Sequence, residues 1–110
     1  MISQKTMPGK YGTDWNKDEV VLALALFKTG GVSHDQNDPK VTELARLIGR
    51  TPASVAMKLG NLQAVHTAGR KGLPKASRLD RQVWEEFQNS KETLDAEAHR
   101  IRTKLEGLLE

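Results

Sequence analysis

Five stretches of the chain carry apolar residues at helical spacings, and the first four open on residues that start a helix. The first, Val20 to Phe27, reads VVLALALF and is apolar on every side. Such a helix is expected to be surrounded by protein, as the central element of the core. An apolar run of this length also suits a buried strand, but its Leu/Ala content and the start signal ahead of it favour helix. Asn16 stands at the N-cap, Glu19 completes a capping box, and Trp15 and Val20 take the positions of a hydrophobic staple. Gly30–Gly31 is expected to end the helix.

Asp38 and Pro39 open the second stretch as N-cap and first-turn proline. Val41, Leu44, Ala45, Leu47 and Ile48 form its buried stripe and Gly49 ends it. Thr51 and Pro52 restart the chain. Val55, Leu59 and Leu62 recur at four and three residues, with Ala56 beside them, which leaves Ser54, Met57, Lys58 and Asn61 on the other side. Residues 65–76, VHTAGRKGLPKA, read as a basic loop rich in Gly and Pro. Ser77 caps a fourth helix with Asp80 three residues on, and Leu79, Val83, Trp84 and Phe87 make its stripe, with Trp84 and Phe87 expected against the central helix. Leu94, Ala98, Ile101, Leu105 and Leu108 then follow at four, three, four and three, an a/d-type seam with charged flanks. This seam is expected either to join two copies as a homodimer or to fold back on its own domain.

The pattern predicts an all-α protein. Residues 14–90 form a compact helical domain of four helices containing a helix-turn-helix, and 91–110 add a C-terminal amphipathic helix. The polar, Gly/Pro-containing residues 1–13 are read as a flexible arm. With 110 residues there is room for one modest core. The absence of Cys excludes disulfides, thiolate nucleophiles and Cys-based zinc sites. The first residues lack the apolar core of a signal peptide and no run is long enough to span a bilayer, so a cytoplasmic location and no membrane partner are expected.

Charge changes the picture more than composition does. From Leu44 to Arg81 there are eight basic residues (Arg46, Arg50, Lys58, Arg70, Lys71, Lys75, Arg78, Arg81) against one acid, Asp80, a balance of +7. The rest of the chain has nine basic and thirteen acidic residues, a balance of −4. A basic middle in a mildly basic protein is expected where one face meets a polyanion.

The stretch Glu43 to Leu62, ELARLIGRTPASVAMKLGNL, falls in this basic middle. A helix-turn-helix needs a small residue early in its first helix, a Gly at the turn and an apolar residue facing back from the second; Ala45, Gly49 and Val55 supply them. Lys58 stands where such motifs often carry an apolar residue, which turns the expected buried face towards Leu59. Arg50, Thr51 and the N–H groups opening the third helix suit a phosphate oxygen. Ser54, Met57, Lys58 and Asn61 are expected to face base edges of double-stranded DNA, where Asn pairs with adenine and Lys with guanine. Arg70, Lys71, Lys75 and Arg78 would add backbone contacts and a strong salt dependence. The Gly-rich loop lacks the spacing of a phosphate-binding P-loop.

No catalytic constellation is evident. His34, His66 and His99 are far apart in sequence, and His34 with Asp35 and Asp38 reads as a set of turn and capping residues. No metal site or cofactor is expected, and the chain is not read as an enzyme.

Trp15 with Glu19, and the run LIGRTPASVAMKL, resemble Myb/SANT-like three-helix domains, from which the chain departs in its fourth helix and in lacking later regularly spaced tryptophans. A closer resemblance is to the N-terminal helical region of bacterial HNH endonuclease-like restriction proteins. Its pieces are Trp15–Phe27, Glu43–Leu62, Gly69–Lys75 and Leu79–Phe87, covering roughly residues 14–90 in motif order. In that family the nuclease centre lies C-terminal to this region, and this chain has no His-Asn-His cluster. The resemblance implies a targeting module of an HNH-type restriction or defence endonuclease, without the nuclease centre. The alternative is a small phage- or defence-related interaction or dimerisation adaptor using the 94–108 seam.

Overall fold

The computed structural model describes residues 14–29, 34–67 and 77–109. The expected arm at 1–13, Gly30–Gly31, and Arg70, Lys71 and Lys75 of the basic loop lie outside the described residues. The described chain is all-α: α1 Lys17–Lys28, α2 Pro39–Ile48, α3 Pro52–His66, α4 Arg78–Phe87 and α5 Lys91–Leu109. None of these helices is long and apolar enough to cross a membrane.

Helix α1 is the hub. Val20, Val21, Leu22, Ala23 and Leu24 are all buried, and the helix touches each of the other four. Its start is a complete capping box: the Glu19 N–H donates to Asn16 Oδ1 at 2.9 Å and the Asn16 N–H donates to Glu19 Oε1 at 3.0 Å. The helix ends at Lys28, with the Thr29 hydroxyl donating to the Leu26 carbonyl.

Helices α2 and α3 form the helix-turn-helix hairpin. Gly49 adopts φ 72, a left-handed conformation that costs a residue with a Cβ about 1 kcal/mol. The turn that follows brings the Arg50 N–H to the Ala45 carbonyl at 3.0 Å, which satisfies one of the carbonyls left over at the end of α2. Val41, Leu44, Ala45, Leu47 and Ile48 of α2 and Val55, Leu59 and Leu62 of α3 enter the core as the spacing predicts. The expected loop from residue 65 is corrected at its start, because α3 continues to His66. The His66 ring is 5.8 Å from Phe27 of α1 and 5.4 Å from Trp84 of α4, and Phe27 and Trp84 are 6.0 Å apart. This cluster of rings carries α3 two residues into the stretch read as loop.

Helix α5 decides a question that the seam left open. Leu94, Ala98 and Ile101 are buried in the same core as α1, and Leu105 packs against it. Of the two outcomes read for Leu94, Ala98, Ile101, Leu105 and Leu108, pairing two chains or folding back, most of the seam takes the second, and Leu108, 76% exposed, is left outside it. Ser90 starts the helix, accepting the Thr93 N–H at 3.1 Å. Arg102 pairs with Glu43 of α2 at 2.6 Å and Lys104 with Asp18 of α1 at 3.3 Å, fixing the rotation of α5 rather than adding much stability.

Two stability tests follow from this packing. Ile101→Ala should cost about 2–5 kcal/mol in urea denaturation, as for other aliphatic side chains deleted from a core. A chain ending at Asn89 should lose its cooperative transition; a folded product of that length would show α5 to be dispensable. Gly60, inside α3, has open space where a Cβ would stand. Gly60→Ala should therefore raise stability by about 0.5–1 kcal/mol, visible as a higher melting temperature.

Candidate nucleic-acid interface

The start of α3 is held by a polar cluster that also contains the starts of α1 and α4. Arg50, between α2 and α3, donates from Nε and Nη2 to Glu19 Oε1 at 3.2 and 3.0 Å, and from Nη2 to the Asp14 carbonyl at 2.8 Å. Lys58, a turn and a half into α3, donates from Nζ to both oxygens of Asp80 at 3.0 and 3.2 Å. Both pairs are sequestered, with side chains 5% and 2% exposed for Arg50 and Glu19, and 10% and 0% for Lys58 and Asp80. Trp15 joins them. The Arg50 guanidinium lies 5.0 Å and the Lys58 ammonium 5.1 Å from its ring, and its Nε1–H donates to Ser54 Oγ at 3.3 Å.

Glu19 and Asp80 each perform two tasks. Glu19 closes the capping box of α1 and neutralises Arg50. Asp80 closes that of α4, accepting the Ser77 N–H at 3.0 Å while its own N–H donates to Ser77 Oγ at 3.1 Å, and neutralises Lys58. The capping role of both acids was readable from spacing. Their long-range partners were not, although a Lys at a normally apolar position of a core-facing helix is itself a sign that a buried acid awaits it.

The expected contact set is therefore redistributed. Arg50 and Lys58 are corrected from solvent-facing contacts to internal ion-pair partners. Thr51 directs its hydroxyl at the Ser54 N–H as N-cap, at 3.1 Å, and the Ser54 hydroxyl takes the Trp15 indole, so neither is directed outward as expected. Met57 and Asn61 do stay outside the core: Met57 is 68% exposed and Asn61 half-buried. Exposed Ala53 and half-buried Gly60 adjoin them on the same side of α3. Arg78 is exposed at the first turn of α4, where it lines an open hollow of about 470 Å³ with Asp14, Trp15, Lys58, Ser77 and Leu79.

The electrostatics survive this redistribution. Of the eight basic residues between Leu44 and Arg81, Arg50 and Lys58 are buried, but the one acid of that stretch, Asp80, is buried with them. Arg46, Arg78 and Arg81 are exposed. Surface-facing acids on α4 and α5 include Glu85, Glu86, Glu92 and Asp95, while Asp14 lines the hollow with Arg78 and Glu43 lies 3.9 Å from Arg46. On α5 the hydrogen bond from Arg100 holds the Glu97 carboxyl below its ordinary range. That pairing contributes above the unfolded carboxylate range and is lost as pH falls through the lowered folded value.

Among the described residues no group of three or more His, Asp or Glu side chains is placed to hold a metal ion. Comparison with protein-family models, with curated proteins and with solved structures gives no match.

Because each buried pair strands a charge when one member is removed, Arg50→Ala and Lys58→Ala should each destabilise the fold by about 3–5 kcal/mol. Lys58→Ala should also shift Trp15 fluorescence in the folded state. A loss below about 1 kcal/mol for Lys58→Ala in urea denaturation would be the value of an exposed pair and would contradict the burial.

Proposed function

We propose that this chain is a DNA-binding helix-turn-helix domain, of the kind that targets HNH-type restriction or defence endonucleases to DNA, and that it carries no nuclease centre of its own. The observation that supports it most is the α2–Gly49–α3 hairpin with one flank of α3 exposed and no acid anywhere in α3. A helix that carries no acid, with exposed Arg46 and Arg78 on the helices either side of it, suits a polyanion. The resemblance to the helical region of HNH endonuclease-like restriction proteins points the same way. Its pieces Trp15–Phe27, Glu43–Leu62 and Leu79–Phe87 share one cluster through Glu19–Arg50 and Lys58–Asp80. The competing reading, an adaptor that dimerises through the 94–108 seam, loses its main support with Leu94, Ala98 and Ile101 in the core.

In this reading α3 lies in the major groove, and Arg46 and Arg78 border it as phosphate contacts. Arg70, Lys71 and Lys75 supply further contacts from the segment that joins α3 to α4. Affinity comes from these flanking cations rather than from Arg50 or Lys58.

Titration of the full chain with a mixed-sequence duplex tests this. Binding should weaken about a hundredfold between about 50 and about 200 mM salt if some four phosphates are engaged. Arg78→Gln combined with Arg46→Gln should flatten that salt slope by about two while leaving the melting temperature within a few degrees. Absence of binding at low salt, or a slope that the double variant does not change, would sink the proposal.

A further inference from the structure

We infer that the free face of α3 reads A·T pairs in the major groove, with Asn61 on adenine and the apolar side chains of Met57 and Ala53 against thymine methyl groups. This rests on the DNA-binding reading above and adds what the domain would prefer. The inference comes from matching each residue of α3 to the bases it is chemically able to recognise. Guanine is read mainly by Arg or Lys donating to O6 and N7, and cytosine by Asp or Glu accepting from its amino group. Helix α3, PASVAMKLGNLQAVH, has one Lys and no Arg, Asp or Glu. That Lys58 is committed to both oxygens of Asp80 inside the fold. The helix thus keeps no charged side chain with which to favour a G·C pair.

What remains suits A·T. Asn recognises adenine through N6 and N7 with its carbonyl and amino groups together, and a small or apolar side chain fits the thymine methyl. The Asn61 side chain makes no hydrogen bond among the described residues, so its amide is available for that geometry. Met57 lies one turn before it and is 68% exposed, and Ala53 lies one turn before Met57. From Ala53 to Asn61 the helix rises about 12 Å, which spans roughly three to four base pairs at about 3.4 Å each. Gly60, beside Asn61, has open space where its Cβ would be, so at that point the helix backbone itself can approach the bases. Charge complementarity selects DNA over an apolar protein partner as the occupant. Arg78 and Arg46 are exposed, Arg46 with Glu43 at 3.9 Å, and α3 itself carries no acid.

The test uses the full chain and three duplexes of equal length, alike except for a central block of A·T, G·C or inosine·C pairs. Inosine·C presents the guanine-like N7 and O6 acceptors in the major groove but lacks the guanine amino group in the minor groove. A·T should bind at least about fivefold tighter than G·C, the lower end for one good bidentate contact. Inosine·C should behave like G·C. Asn61→Ala should bring A·T affinity down to the G·C level with the helical circular dichroism unchanged, and Gly60→Ala should weaken A·T binding while raising the melting temperature. Three results overturn the inference and leave DNA binding standing: equal, salt-sensitive affinity for all three duplexes; inosine·C binding like A·T; or an A·T preference that persists when Asn61→Ala and Met57→Ala are combined. Failure of every duplex to bind at low salt overturns the inference together with the reading beneath it.

Discussion

Two carboxylates hold this fold in register. Glu19 and Asp80 each sit at the third position of a helix, where they return a hydrogen bond to the N-cap, and each receives a cation from a residue distant in sequence. A buried ion pair gives little net stability, because the loss of solvation offsets most of the attraction. It gives direction instead. An apolar contact tolerates small rotations, whereas a stranded charge in the interior is too costly for Arg50 or Lys58 to settle anywhere else. The helix-turn-helix is thereby referenced to the first turns of α1 and α4, not merely to the greasy face of α1.

Trp15 makes the two pairs one unit. Its ring faces both cations and its indole N–H is given to Ser54, so all of its recognition capacity is used at the start of α3. Asp14 contributes only its carbonyl, to Arg50. The short lead before α1 therefore does for α3 what a longer connection would otherwise have to do. It also determines which flank of α3 is unavailable: Ser54 and Lys58 look inward to Trp15 and Asp80, and Met57 and Asn61 look away.

The first four helices were legible in sequence because each start combines two signals, an N-cap and a second residue that supports it, and α5 was legible from the period of its stripe alone. Asn16 with Glu19, Asp38 with Pro39, Thr51 with Pro52 and Ser77 with Asp80 are all found as read. The end of α3 was less legible, because the stacking of His66 on Phe27 and Trp84 is a tertiary contact that no local pattern announces. For the same reason the 94–108 seam was ambiguous. An a/d repeat states that one face of a helix will be covered, and it is silent on whether the cover is another chain or α1. The site was the least legible part. Periodicity placed Lys58 with Ser54, Met57 and Asn61 on the side away from the core, and it is the buried partner that draws it inward. Asp80 lies twenty-two residues away, and the local signal it gave was that of a cap.

Separating the cations that fold the domain from those free to act on a ligand changes how its basic character should be understood. A count of Lys and Arg treats all eight in the central stretch alike. Once Arg50 and Lys58 are neutralised in the interior, α3 itself contributes almost nothing to the field felt outside, and among the described residues of the stretch that field comes from exposed arginines on the neighbouring helices. Long-range attraction and close-range discrimination then reside in different residues. Arginines such as Arg46 and Arg78 can hold a polyanion without regard to its sequence, since phosphates are the same at every step. The neutral face of Ala53, Met57 and Asn61 adds nothing to that attraction, so whatever preference it has would be expressed at short range and be almost independent of salt. A helix that carried its own exposed arginines would blur the two, because each guanidinium is attracted to phosphate as readily as to guanine.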